Sequence, residues 1–378
     1  MSERASERVS LMATTRHRPA VREDLVALEG YHSPQVDVAV RLNTNESPVP
    51  PPDAWRDALA AELSRLEWHR YPDRSALALR AALAEHHGVD PTQVFAANGS
   101  NEVIQTVCLA YGGPGRTAAV FEPTYRLHAH IASVTGTAVA VGGRAGDLSL
   151  DVAEVRRVLG AAAPALTFLC SPNNPTGMVE PAEVVADVFD LAPGLVVVDE
   201  AYGQFADRSA LELVGEDRAV VVTRTYSKTW SMAAARLGYL VGPSWLVAEL
   251  ETVVLPYHLD AAKQVAGRLA LRFEPEMRAR VASLIEERER LVAGLARLPV
   301  QQWPSGANFV LFRPDRVARA AGSGQNTGRA VWQGLLDRSV LVRDCSAWPG
   351  LAGCLHVTVG TPEEDDAFLA ALAEVLES

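Results

Sequence analysis

Five short runs of almost unbroken apolar residues, at 118–121, 138–141, 165–170, 195–198 and 219–223, constrain the fold more than any other feature. A strand with one wet face alternates apolar and polar side chains. A continuous run belongs to a strand covered on both faces, the environment of a parallel sheet. Helix-length segments such as 150–159 and 181–191 separate the runs. The alternation predicts an α/β fold with a mostly parallel, doubly wound sheet. Near residue 255 the pattern changes. Segment 261–298 reads as long, charged and helical, with Pro275 as a kink or break. Its Glu/Arg-rich part, 285–291, reads equally well as a solvated face. Strand-like runs follow at 307–312, 340–343 and 355–359, then a closing helix at 362–376. This second part reads as a smaller α+β domain, and the chain of 378 residues is long enough for two cores. The polar, Gly-rich stretch 322–328 reads as a turn or flexible loop.

The net charge of -11 argues against nucleic acid or an anionic membrane as a general partner. No stretch approaches the roughly 18 apolar residues of a membrane helix. Residues 1–22 are polar and rich in Arg and Ser, without the apolar core of a signal peptide. They read as a mobile tail on a cytoplasmic protein. Cys108, Cys170, Cys345 and Cys354 are irregularly spaced, which favours buried free thiols over a metal or disulfide framework.

Ligands of a doubly wound sheet bind beyond the carboxyl ends of its strands. Three polar segments fall there. Asp199 closes the run 195–198 and is followed by Glu200, Ala201 and Tyr202. Alone, such an Asp serves equally as a helix cap. Ser171-Pro172-Asn173-Asn174-Pro175-Thr176-Gly177 follows another run, and alone is a rigid turn. Thr225-Tyr226-Ser227-Lys228 follows a third. Lys228 and Lys263 are the only lysines among 35 basic side chains. Lys263 reads as a surface residue. A lysine, unlike the always-charged Arg, can lose its proton and attack a carbonyl. Asn98-Gly99-Ser100-Asn101-Glu102 precedes an apolar helix, where exposed amides and Ser100 make either a phosphate cradle or an ordinary cap. Arg236 lies eight residues beyond Lys228.

Taken in order, these segments resemble the fold-type I pyridoxal-phosphate-dependent aminotransferases of class I/II. Within them the similarity is greatest to the histidinol-phosphate aminotransferases of actinobacterial type. It runs from about Leu25 to Leu376 and includes Arg41 to Glu46, His69 to Asp73, Ala97 to Glu102, Pro172 to Gly177, Asp199 to Tyr202, Arg224 to Lys228, Arg236 to Tyr239, Ser305 to Phe309 and Val357 to Thr361. Each motif is weak alone; the ordered set is specific. The resemblance implies a large cofactor-binding domain at 46–260 and a small domain at 261–378. It also implies an arm, 23–45, that joins the small domain and a dimer contact. It implies pyridoxal 5'-phosphate as cofactor, a small amine and a 2-oxo acid as substrates, and a homodimer with shared active sites. Lys228 is then the Schiff-base lysine and proton shuttle. Asp199 pairs with the pyridinium nitrogen, a charge-assisted contact worth on the order of 1.5–3 kcal/mol. Asn174 and Tyr202 hydrogen-bond the phenolic oxygen, and Tyr125 stacks on the ring. Ser100, Asn101, Thr225, Ser227 and Arg236 hold the phosphate, and Tyr71 reaches the neighbouring subunit's cofactor. Tyr31, Asn45, Arg343 and His356 match substrate-side positions.

His356 departs from the family, which usually has Arg just before the Val-Thr-Val-Gly segment. The shorter imidazole cannot grip an anion bidentately. Two expectations follow: tolerated drift, with Arg343 and a cationic His356 holding the anion, or a paralogue with another amine substrate or another reaction at the same cofactor. Trp230 is also bulkier than the Phe often found there. A catalytically silent binding module is disfavoured by the intact Lys228, Asp199, Asn174, Tyr202 and Arg236. A nucleotide-dependent dehydrogenase is discarded, because Gly112-Gly113-Pro114-Gly115 precedes a strand and lacks the lysine of a phosphate loop.

Overall fold

The computed structural model describes residues 19–26, 28, 30, 36–315 and 327–377. Tyr31, residues 1–18 and most of the Gly-rich stretch (322–326) lie outside the described residues. Gly328, its last residue, belongs to a helix, Thr327–Leu336. Residues 1–32 and 33–378 form separate compact units. In the first, Glu23–Leu25 makes a single 3-10 turn.

Within the second unit the strands are β1 (Val40–Leu42), β2 (Val94–Ala97), β3 (Thr117–Glu122), β4 (Ala138–Gly143), β5 (Leu166–Cys170), β6 (Leu195–Asp199), β7 (Val220–Thr225), β8 (Gly238–Val241), β9 (Val300–Gln302), β10 (Phe309–Pro314), β11 (Val340–Asp344) and β12 (Leu355–Thr358). Seven of them form one sheet in the order β2-β8-β7-β6-β5-β3-β4. All five apolar runs lie in it. Their pairings are parallel, and β8 runs antiparallel to both β2 and β7. Alternation along β6 shows why the run is apolar throughout. Leu195 and Val197 pack with Val103, Ile104 and Val107 of helix Ser100–Tyr111. Val196 and Val198 pack with Val155, Val158, Val185 and Val188 of helices Val152–Ala162 and Ala182–Leu191. Both faces are covered, so neither tolerates polar side chains. β4 departs from the expectation of two buried faces. It is the sheet edge, and Val141 is 57% exposed.

The second sheet has the order β1-β11-β12-β10-β9. β1 pairs in parallel with β11, and the remaining neighbours are antiparallel. Segment 261–298 breaks into helix Ala261–Ala270, a 3-10 turn, and helix Glu274–Leu295. Pro275 falls in the first turn of the second helix, where its missing N–H leaves no hydrogen bond unmade. The four cysteines are free and buried, as expected.

A polar chain is buried beneath β7. Arg224 Nη2 lies 2.7 Å from Glu200 Oε2, Arg224 stands opposite Tyr239 on β8, and Tyr239 OH meets His87 Nε2 at 2.8 Å. Burial, then Arg224 and His86, push the His87 imidazole down to about 3.

Candidate active site

The site lies at the carboxyl ends of β5, β6 and β7, against one face of the smaller sheet. Lys228 follows β7 and is partly buried. Its Nζ donates to Thr44 O at 3.0 Å and lies 5.7 Å from the Tyr202 ring centroid. Desolvation, helped by the Arg236 charge and opposed by Glu46, lowers its pKa to about 8. Free amine is therefore far more accessible near neutrality than in an ordinary lysine, at roughly a tenth of the population at pH 7.

Asp199 ends β6 and is 1% exposed. One carboxylate oxygen accepts from Ala201 N at 3.0 Å, and the other lies 2.9 Å from His128 Nε2. His128 is fully buried, stacks on Phe168 at 5.0 Å, and meets Tyr125 edge-on at 5.3 Å. It is a site residue that the sequence reading missed. Its signal was the position three residues after Tyr125, one helical turn into the segment after β3.

The loop after β5 brings Asn174 to Tyr202, with Nδ2 to OH at 3.3 Å. Asn45 Nδ2 donates to the same hydroxyl at 2.9 Å, and Thr358 Oγ1 donates to Asn45 Oδ1 at 3.0 Å. Asn45 thus ties Tyr202 to β12. The Asn174 Oδ1 atom is buried without a partner.

The anion cradle assembles from two loops. Ser100 and Asn101 open helix Ser100–Tyr111, behind Gly99 with φ +83°. A Cβ on Gly99 would lie 3.0 Å from Arg236 Nη2, and one on Gly238 would lie 2.3 Å from Ser100 N. Glycine at both positions lets the backbone, Ser100 and Arg236 converge. Arg236 Nη1 donates to Ser227 Oγ at 3.2 Å, and Thr225 Oγ1 donates to the same oxygen at 3.0 Å. Tyr125 OH reaches Asn101 Oδ1 at 3.3 Å. Donors of this kind around a helix N-terminus suit a phosphate. A partly buried amine beside them, a carboxylate held by His128, and an unpartnered amide oxygen at Asn174 fit the cofactor that the sequence resemblance implied. Among the described residues no cluster of His, Cys, Asp or Glu is set to hold a metal.

Lys263 reaches the surface, with its side chain 26% exposed, and is also tied to the site. Its Nζ donates to Asn98 Oδ1 at 2.8 Å and pairs with Asp260 Oδ2 at 2.8 Å. Asn98 is also held by His258 O and by Glu102. Lys263 therefore clamps the loop that presents Ser100. Substituting Lys263 by Met is expected to weaken cofactor binding about tenfold, since a charge-assisted bond is worth roughly 1.5–3 kcal/mol. Spectrophotometric titration of the cofactor-free protein checks this, and unchanged affinity rejects the clamp.

Tyr71 sits at the surface. It is 80% exposed and stacks on Tyr257 with ring centroids 4.6 Å apart. Arg343 stands opposite His356 across β11 and β12. His356 is 3% exposed, stacks on Phe309 at 4.8 Å, and has no hydrogen-bond partner at either ring nitrogen. Burial, then Arg343 and Lys228, push its pKa down to about 3. This direction opposes the cationic His356 of the drift expectation.

These histidines set an acid limit on stability. Unfolded imidazoles take up protons below about pH 6.5, while His87 and His356 do so only near 3. The unfolded state binds more protons in that window, so stability falls as pH falls, by about 1.4 kcal/mol per unit for each ring. Asp365, raised to about 8 by burial and the neighbouring Glu287, acts in the opposite sense. The two rings therefore make stability fall with pH below about 6.5, and Asp365 offsets part of that fall. Urea unfolding across that range measures the slope. His87→Gln should reduce it by about one proton, and an unchanged slope overturns the assignment.

A lysine amine of lowered pKa, enclosed with a carboxylate and an anion cradle at the carboxyl edge of a parallel sheet, defines an α/β enzyme that handles amines and carbonyls. Residues 37–372 match the family described as aminotransferase class I and II, and the chain belongs to that family. It is an enzyme that transfers amino groups. The chain is 46% identical over 371 residues to the histidinol-phosphate aminotransferase of Frankia casuarinae, covering 94% of this chain and 90% of that one. It is 42% identical over 365 residues to the histidinol-phosphate aminotransferase of Mycobacterium marinum, covering 94% and 92%. The crystal structure of histidinol-phosphate aminotransferase from Sinorhizobium meliloti in complex with pyridoxal-5'-phosphate shares the fold, with a TM-score of 0.80 at 23% identity, over 90% of this chain and 91% of that one. Among the described residues no helix is long and apolar enough to cross a membrane.

Proposed function

We propose that this enzyme uses pyridoxal 5'-phosphate to move the amino group of histidinol phosphate to 2-oxoglutarate, giving imidazole acetol-phosphate and glutamate. The observation that carries the reading is Lys228, partly buried between Thr44 O and Tyr202, in a chain 46% identical to a histidinol-phosphate aminotransferase. When bound, the cofactor supplies a carbonyl that condenses with amines and a ring that withdraws electrons from the attached carbon. The chain's own residues do the rest. Lys228 Nζ holds the cofactor and, once displaced, carries a proton to and from the substrate carbon. Asp199, fixed by His128, holds positive charge on the ring nitrogen. Asn174 and Tyr202 fix the phenolic oxygen, Tyr125 covers the ring, and Ser100, Asn101, Thr225, Ser227 and Arg236 hold the phosphate. Asn45 and Arg343 face the substrate.

The active form is a homodimer in the cytoplasm. Support for the dimer comes from Trp68, Tyr71, Leu77, Leu255 and Tyr257, exposed side chains close in sequence or stacked on one another. Sedimentation at micromolar concentration should give twice the chain mass, with Tyr71 of one copy reaching the other copy's site. A monomer that retains full activity rejects shared sites.

A second reading, another amine or another reaction at the same cofactor, is favoured by one observation: His356 where the family usually has Arg. A single-turnover assay separates the two. Cofactor-loaded protein is mixed with histidinol phosphate, glutamate or an aromatic amino acid, and loss of the cofactor's visible band is followed. Rapid conversion to the amine form by histidinol phosphate supports the first reading. Turnover only with a different amine establishes the second.

A further inference from the structure

Asn173 stands just before Asn174 and is fully buried. Its side-chain amide is occupied within the chain. Oδ1 accepts from Thr124 Oγ1 at 2.8 Å, while Nδ2 donates to Pro123 O at 3.0 Å and to Thr176 Oγ1 at 2.9 Å. An amide nitrogen carries two donor hydrogens, so both are taken. The backbone is held as well: Asn173 N donates to Met178 O at 2.7 Å, and Asn173 O accepts from Gly177 N at 2.7 Å. Gly177 O in turn accepts from Gly306 N at 2.7 Å.

These partners belong to two loops. Pro123 and Thr124 follow β3 and lead into Tyr125, whereas Thr176, Gly177 and Met178 follow β5 and close the turn that presents Asn174. The β3–β5 ladder pairs Ala118 with Leu166 and Ala119 with Thr167, well short of the strand ends at Glu122 and Cys170. Beyond it, the Asn173 amide bridges the two exits. Each exit carries one wall of the site: Tyr125 OH reaches Asn101 of the anion cradle, and Asn174 Nδ2 reaches Tyr202 OH. Thr124 is 3% exposed and Thr176 fully buried, so water cannot replace the bridge from outside.

We infer that Asn173 is a positioning residue for the amino transfer, holding the Tyr125 and Asn174 contacts to the cofactor in fixed register with one another. The inference rests on the proposed reading of those two residues as cofactor contacts. Asn173 acts only through them. If the two walls shift independently, the reacting atoms lose alignment, and a displacement of about 1 Å costs on the order of 10²-fold in rate.

The test uses the full chain. Wild type, Asn173→Ala, Thr124→Val and Thr124→Ser are compared, with Asn174→Ala as the reference for a lost contact to the phenolic oxygen. Titration of the cofactor-free proteins with pyridoxal 5'-phosphate should show affinity about tenfold weaker in Asn173→Ala. Without substrate, the pH midpoint of the bound cofactor's visible band should move in Asn173→Ala in the direction set by Asn174→Ala. Thr124→Val, which removes one of the three bonds, should move it less, and Thr124→Ser, which keeps the hydroxyl, should match the wild type. With substrate, kcat should fall about 10- to 100-fold in Asn173→Ala while KM stays within about threefold. A packing role alone lowers the melting temperature and leaves the midpoint and kcat unmoved, and that result overturns the inference. Should Asn173→Ala fail to fold, Thr124→Val decides: a wild-type midpoint overturns the inference, and a displaced one restored by Thr124→Ser supports it. The proposed function fails separately: a wild type that binds the cofactor but is inert to every amine refutes the reaction, while the midpoint still reads Asn173.

Discussion

Lys228→Ala is expected to lower single-turnover amino transfer by at least about 10⁴-fold, because one side chain supplies both the nucleophile and the proton carrier. The folded protein should survive. In the structure Lys228 Nζ makes one hydrogen bond, to Thr44 O, and the groups around it have other supports. Tyr202 is held by Asn45 and Asn174, and Ser227 by Thr225 and Arg236. Cofactor should still bind through the phosphate cradle, but without the covalent band in the visible spectrum. Lys228→Arg should fare no better, since a guanidinium stays protonated. A variant that keeps more than about 1% of the wild-type rate would falsify the assignment of Lys228 to both roles.

The parts of this design that were legible in the sequence are those where one physical demand acts on neighbouring residues. Two-sided burial makes β3, β5, β6 and β7 continuous apolar runs, and strand exits place Asp199, Asn174 and Lys228 beside one another. β8 escaped notice because Gly238–Val241 is short and begins with a glycine required by the approach of Ser100 N. β2 and β8 are antiparallel neighbours inserted into a parallel pattern, and nothing local in Val94–Ala97 announces that. β4 looked like a central strand because edge position is a property of the sheet and not of the run. The missed site residues share a different cause. His128 lies 71 residues from Asp199, and Lys263 lies 165 residues from Asn98, so their roles exist only through tertiary contact. His356 was legible as an oddity, but its charge state was not. Burial beside Arg343 and Lys228 pushes its pKa down, and spacing carries no record of burial.

Asp199→Asn is expected to lower kcat by about 10²- to 10³-fold while shifting KM little, because a preorganised charge acts on charge that develops during reaction. Asparagine preserves the shape and the bond from Ala201 N, while its NH2 group turns to His128 Nε2, which must then accept. Asp199→Ala should be worse, since His128 Nε2 then loses its carboxylate partner inside a fully buried site. His128 provides the internal control. Its ring stacks on Phe168, meets Tyr125 edge-on, and touches the carboxylate but not the reacting carbon in the proposed arrangement. His128→Phe should therefore keep the packing and release one carboxylate oxygen, a positioning loss of about tenfold in kcat. The discriminating readout is the pH dependence of the bound cofactor's visible absorbance. Asp199→Asn should displace that titration strongly and His128→Phe in the same direction by less. If Asp199→Asn titrates and turns over like the wild type, the carboxylate is a structural cap at the end of β6, and the cofactor's ring nitrogen has another partner.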